Sequence, residues 1–172
     1  MNIATAHSMT ESPQERLAAI LDSHQPTSIL TVSLNPIPVV AQWCKDHNCT
    51  LVEIQEQNPF PALDDINRVD IAIVADQLEY MPQHDGEALM GLLRNLHTDS
   101  MVAVYQPTLA PQKLRWPANG FLALGCREQG HFAEDGRKLN IYSYDLDNYN
   151  FERKWNNPRF WANPENWGKY WW

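Results

Sequence analysis

Apolar residues in this chain fall into short continuous runs, separated by helix-length stretches with a single apolar face. That alternation predicts an α/β domain with a largely parallel sheet. Ser12, Pro13 and Glu15 form a capping box with proline at the first helical position, and Leu17, Ile20 and Leu21 mark one face, so a helix is expected over residues 13 to 23. Pro26 ends it, and the run Ser28 to Leu34 reads as a buried strand. Asn35 and Pro36 cap a second helix, Ile37 to Asn48, and Thr50 to Gln55 supplies a second strand. This βαβ unit is expected to have a right-handed crossover.

The segment from Asn58 to Asn67 holds two prolines and paired aspartates and reads as a surface loop. The clearest pattern follows it. Val69 to Ala75 is a central strand, and Asp85 or His84 caps a helix running to Leu96, with Leu89, Leu92, Leu93 and Leu96 at core spacing. Met101 to Gln106 is the next strand. Beyond Pro107, Gly120 to Glu128 and Lys138 to Leu146 read as an antiparallel pair, separated by a stretch containing Gly130 and Gly136. The sheet is therefore expected to be mixed.

A length of 172 residues suits one domain with its own core, so residues 1–172 are read as a single unit with a flexible start at 1–11. The formal charge of −8, from 21 acidic and 13 basic residues, leaves no electrostatic footprint for a nucleic-acid backbone or an anionic membrane face. From Pro59 to Glu87 seven acids face one base, Arg68, which predicts a negative, solvated region of surface. Three cysteines without close pairing signal neither a disulfide framework nor a zinc site. With no signal-peptide pattern and no apolar run of membrane-spanning length, the expected location is the cytoplasm.

The last 24 residues hold nine aromatic side chains and a repeated Asn-Pro-x-x-Trp pattern, at Asn157 to Trp161 and Asn163 to Trp167. So many rings exceed the apolar patch of roughly 300–600 Å² that a soluble monomer leaves exposed. The segment 147–172 is expected to pack on the domain. A homodimer or protein partner, or an aromatic ligand cage, is the alternative use of those rings.

The residues Val69 to Pro82 and Leu92 to Pro107 together resemble a class I S-adenosylmethionine-dependent methyltransferase. The points of likeness are an acidic-start strand, a Leu-Glu-aromatic turn at Leu78 to Tyr80, a Leu-rich helix and a strand ending in proline. Gly120 and Phe121 extend the likeness, and the Trp-rich ending is similar to an uncharacterised bacterial family of small methyltransferase-like proteins. The resemblance implies a Rossmann-like fold with helices on both faces of a mixed sheet and a C-terminal antiparallel strand pair. It also implies S-adenosylmethionine as cofactor if the family chemistry is retained.

Two departures set this chain apart. The loop after the first strand, Ser33 to Pro38, has two prolines where the family has glycines, and the first glycine of the chain is Gly86. A backbone approaching a cofactor closely needs glycine there. Between Gln55 and Val69 there is too little chain for the usual helix and third strand, so the sheet is expected to be truncated. Together these favour a domain degenerate in cofactor binding that acts as a binding or interaction module. The alternatives are an active small-molecule methyltransferase with an altered loop, and an oligomer-forming structural protein.

Ligands in open α/β sheets sit beyond the carboxyl ends of the strands. The cofactor-contacting candidates there are Asn35, Glu56 and Asp76. Asp76 and Glu79 are candidate acids or bases, and Tyr80 is a candidate for stacking or hydrogen bonding. The competing reading makes Asp76 and Glu79 ordinary loop and helix-start acids. His84 and Asp85 beside Asp76 could form a small metal site, against which stands simple helix capping; no His-x-x-x-His pair occurs.

Overall fold

The computed structural model describes residues 11–146. Residues 1–10, most of the expected flexible start, and the aromatic segment 147–172 lie outside the described residues.

The first helix, α1 (Pro13–His24), starts on the expected capping box, with the Ser12 hydroxyl accepting from the Glu15 N–H and the Glu15 carboxylate accepting from the Ser12 N–H. Then come β1 (Ser28–Val32), α2 (Pro38–His47), β2 (Thr50–Ile54) and a one-turn helix α3 (Phe60–Leu63). The stretch expected to be a surface loop thus contains a helical turn, and it carries the fully buried Leu63 into the core. Next are β3 (Ile71–Val74), a 3-10 turn (Leu78–Tyr80), α4 (Gln83–Leu92) with a π turn (Leu93–His97), and β4 (Ser100–Tyr105). A short α5 (Gly120–Ala123) and the strands β5 (Arg127–Glu134) and β6 (Arg137–Asp145) complete the described chain.

The six strands form one sheet in the order β2-β1-β3-β4-β6-β5. The first four are parallel, β6 pairs antiparallel with β4, and β5 pairs antiparallel with β6, so the sheet is mixed. Among the described residues no strand pairs with the outer edge of β2, as the short connection after Gln55 requires.

Strand side chains alternate between two cores because successive residues point to opposite faces. Ile29, Ile71, Ile73, Val102 and Ile141 pack with Leu17, Leu21, Val40 and Trp43 of α1 and α2. Leu30, Val32, Ala72, Val74, Met101 and Tyr142 face Leu89, Leu93, Trp116 and Phe121 on the other side. Both faces being covered, β1, β3 and β4 read as unbroken apolar runs without alternation.

Four expectations are corrected. Helix α2 is not capped by Asn35 and Pro36: Ile37 stands at its N-cap with no side-chain cap bond, and Pro38 is the first helical residue. Helix α4 is capped by neither His84 nor Asp85: Pro82 stands at the N-cap with no side-chain cap bond, and its carbonyl accepts from Asp85 and Gly86. The helix therefore starts two to three residues early, which puts both candidate caps inside its first turn. Leu96 is exposed although its spacing suggested core, because the π turn advances each residue by a smaller angle and swings Leu96 outward while burying His97. Gly120 to Glu128 is not a strand: Phe121 is drawn into the core on α5, and β5 begins only at Arg127, after the left-handed turn at Gly125. The hairpin itself turns on Asp135 and Gly136, both at positive φ, and Gly130 lies within β5.

Candidate functional site

At the carboxyl ends of β1, β2 and β3 the protein's own polar groups bind one another. The backbone there is continuous with the sheet: Ser33 N–H donates to the Ile54 carbonyl, and Leu34 N–H donates to the Asp76 carbonyl at 3.3 Å. Above this, the Asn35 amide donates a short hydrogen bond to the Asp76 carboxylate, joining the loops after β1 and β3. The Gln77 amide donates to the Gln57 carbonyl at 3.0 Å, joining the loops after β3 and β2, whose strands flank β1. Of the expected cofactor residues, Asn35 and Asp76 therefore meet. Glu56 is exposed in the loop after β2 and stands outside this bonded group.

Asp76 has φ +45, in the left-handed region. Gln25 and Asn48, which share that conformation, are helix C-caps, and Asp135 sits in the hairpin turn. At Asp76 the conformation turns the chain sharply off β3. A non-glycine residue there costs about 1–2 kcal/mol, least for Asn or Asp, whose side chains bond locally.

Glu79 is fully buried on the 3-10 turn. One carboxylate oxygen accepts from Gln77 N–H at 3.1 Å and the other from Gln106 N–H at 2.8 Å, so Glu79 ties the end of β3 to the end of β4. Burial lifts its carboxyl above the usual range, the Asp76 charge adds to that, and the backbone N–H donors oppose it. Tyr80 is half exposed, and partial burial, followed by the charge and hydrogen bonding of Asp76, raises its phenol. Asp76, Glu79 and Tyr80 are thus one electrostatically coupled group, in which only Tyr80 presents much surface.

Beside this group, beyond the end of β4, lies an aromatic cluster that the sequence pattern did not flag. Trp116 stacks on Phe121 with centroids 4.3 Å apart, and Phe121 stacks on Tyr142, also at 4.3 Å. The Tyr105 hydroxyl accepts from the Trp116 backbone N–H at 3.0 Å. These residues line a cavity of about 340 Å³. The available signal was Trp116 itself, a large aromatic between Pro111 and Pro117; its stacking partner Phe121 is near in sequence, but Tyr142, which completes the row, lies on β6.

Thiol chemistry is disfavoured, because burial pushes Cys44 up to about 12 and Cys126 up to about 11. The three cysteines are free. No group of three or more His, Cys, Asp or Glu among the described residues is placed to hold a metal ion, which corrects the small metal site considered at His84, Asp85 and Asp76. His84 instead pairs with Asp85 on the surface. No described helix is long and apolar enough to cross a membrane.

Strand order, mixed pairing and helices on both faces define a Rossmann-like, class I methyltransferase-like fold. Magnesium protoporphyrin IX methyltransferase from Synechocystis PCC 6803, solved with bound SAM, superposes with a TM-score of 0.51 at 12% identity, over 76% of this chain and 76% of that one. An rRNA methylase from Escherichia coli matches with a TM-score of 0.45 at 12% identity, over 75% of this chain and 62% of its own length. At 12% identity the likeness to the Synechocystis enzyme is one of fold alone. By sequence, residues 11–172 match a family of unknown function, DUF6231, and the chain belongs to that family. No curated protein matches it.

Proposed function

We propose that this protein is a methyltransferase-like domain that no longer binds S-adenosylmethionine in the ordinary way and acts as a binding module. The observation carrying the reading is the bonding of Asn35 to Asp76 across the end of the sheet, reinforced by Gln77 to Gln57. A cofactor lying over β1 would have to break those bonds and pass a loop whose prolines replace the flexible glycines. Among the described residues no strand lies beyond β2, where a further wall would stand. Glu79 fits the reading as a brace: both oxygens are engaged by backbone donors that tie the end of β3 to the end of β4, and the side chain is sealed from solvent.

Isothermal titration of the full chain with S-adenosylhomocysteine tests this. No heat of binding is expected, and an affinity of micromolar or better would overturn the reading.

The strained Asp76 beside the exposed Tyr80 supports a second reading, an active methyltransferase in which these two groups contact a substrate and S-adenosylmethionine enters after the clasp opens. In that case Asp76→Ala and Tyr80→Phe would each reduce methyl transfer. Unchanged activity in both variants would remove them from the mechanism.

A further inference from the structure

Several places in the molecule hold chemistry the clasped end does not use, and the cavity beyond β4 carries the most. Its wall is preorganised. Trp116 rests against Gly86 so closely that a Cβ there would lie 2.6 Å from the ring, so the indole packs directly on the backbone of α4. Its backbone is held by Tyr105, and its far face by Phe121 and then Tyr142. The loop after β4 is pinned to β6 by Lys138 N–H donating to the Thr108 hydroxyl. Little ordering remains to be done when a ligand arrives, which favours affinity. A volume of about 340 Å³ is within the usual range for small-molecule sites.

The charge of the lining is the second observation. In a chain of net charge −8, this cavity is lined by Arg115, Lys138 and His131 and by no aspartate or glutamate. Neither Arg115 nor Lys138 is ion-paired with a described residue. Arg115 spends one N–H on the Ala110 carbonyl, which orients its guanidinium and leaves the other donors. In addition, the indole N–H of Trp116 is buried with no acceptor among the described residues.

We propose that this cavity binds a small molecule with a flat apolar body and one carboxylate, the body against the Trp116, Phe121 and Tyr142 row and the carboxylate on Arg115 and Lys138. The guanidinium fork matches a planar carboxylate. The proposal deepens the binding-module reading and rests on it for its biological meaning; its physical test is separate.

The test is an amide-proton NMR titration of the full chain with naphthoate and with its neutral amide, naphthamide. Naphthoate is expected to shift the Trp116 indole N–H and the Phe121 and Tyr142 amides saturably. Naphthamide is expected to bind at least about tenfold more weakly, as loss of a charge-assisted contact implies. The exposed pair Arg115→Gln with Lys138→Gln should weaken naphthoate similarly, with the remaining spectrum unchanged. Absence of a saturable shift at millimolar naphthoate would overturn the site. Equal affinity for naphthamide, a comparison needing no variant, would overturn the carboxylate. S-adenosylhomocysteine added to the same sample reports at Asn35 and Asp76 instead, so failure of the binding-module reading shows up at other resonances.

Discussion

The two ends of the sheet use the same side chain, a carboxylate, in opposite ways. At the amino end, Asp70 accepts from the Thr27 N–H at 2.7 Å, the Thr27 hydroxyl at 2.8 Å and the Ser28 N–H, knitting the start of β3 to the start of β1. It is exposed to water, and those donors, led by the Thr27 hydroxyl, hold its carboxyl below the usual range. At the carboxyl end, Glu79 also receives backbone donors, but it is sealed from solvent and its carboxyl is raised. Hydrogen bonding favours the charge in both places. The difference is desolvation, which wins where water is excluded. The amino end is thus anchored by an ion comfortable in its place, whereas the carboxyl end keeps one at a cost. Strained or desolvated groups gather where a fold of this class holds its ligands, and here they persist beside a clasped cleft.

The contrast can be broken most sharply at Glu79. Glu79→Ala leaves the buried N–H of Gln77 and the partly buried N–H of Gln106 without their acceptor, and we expect a loss of about 2–3 kcal/mol in urea unfolding. A loss under about 0.5 kcal/mol would mean that Glu79 braces nothing. Asp70→Ala, at a water-accessible site where solvent can replace the lost acceptor, is expected to cost only about 1 kcal/mol by the same measurement.

The pH dependence separates the two ends by sign. Glu79 has a raised folded pKa, so the folded state binds the proton more tightly; its contribution to stability falls as pH rises from its ordinary value near 4.5 through the raised one. Asp70 has a depressed folded pKa, so its contribution is complete above its ordinary value near 3.8 and is lost as pH falls through the lower one. Thermal melts should show stability rising as pH drops through the raised Glu79 value toward its ordinary value near 4.5, then declining as pH falls below the ordinary Asp70 value near 3.8. Glu79→Gln should flatten the first limb and Asp70→Asn the second; a variant that changes the other limb would contradict the assignment.

The smallest effect belongs to the clasp. Asn35 is exposed and Asp76 partly so, and a double-mutant cycle of Asn35→Ala with Asp76→Ala should give a coupling below about 1 kcal/mol. The clasp is therefore weak as a source of stability while still occupying the end of β1. A coupling well above that would make it a structural lock comparable to Glu79.

What the sequence by itself determined is what neighbouring residues decide among themselves. The capping box at Ser12, the β-branched runs of β1, β3 and β4, and the helix between β3 and β4 rest on spacing along the chain. The truncated edge beyond β2 also followed, because too few residues separate it from β3. Even here local pattern misled where a distant partner intervened: Phe121 left the expected strand to stack between Trp116 and Tyr142. The candidate site was legible as a set of positions at strand ends and not as an arrangement. Asn35 meets Asp76 across 41 residues, and Glu79 reaches Gln106 across 27. Such contacts depend on strand order, and burial then sets the charge preference of each group. Only the tertiary structure decides whether an acid at a strand end faces water, a backbone donor or an empty cavity, because desolvation is a property of everything packed around it.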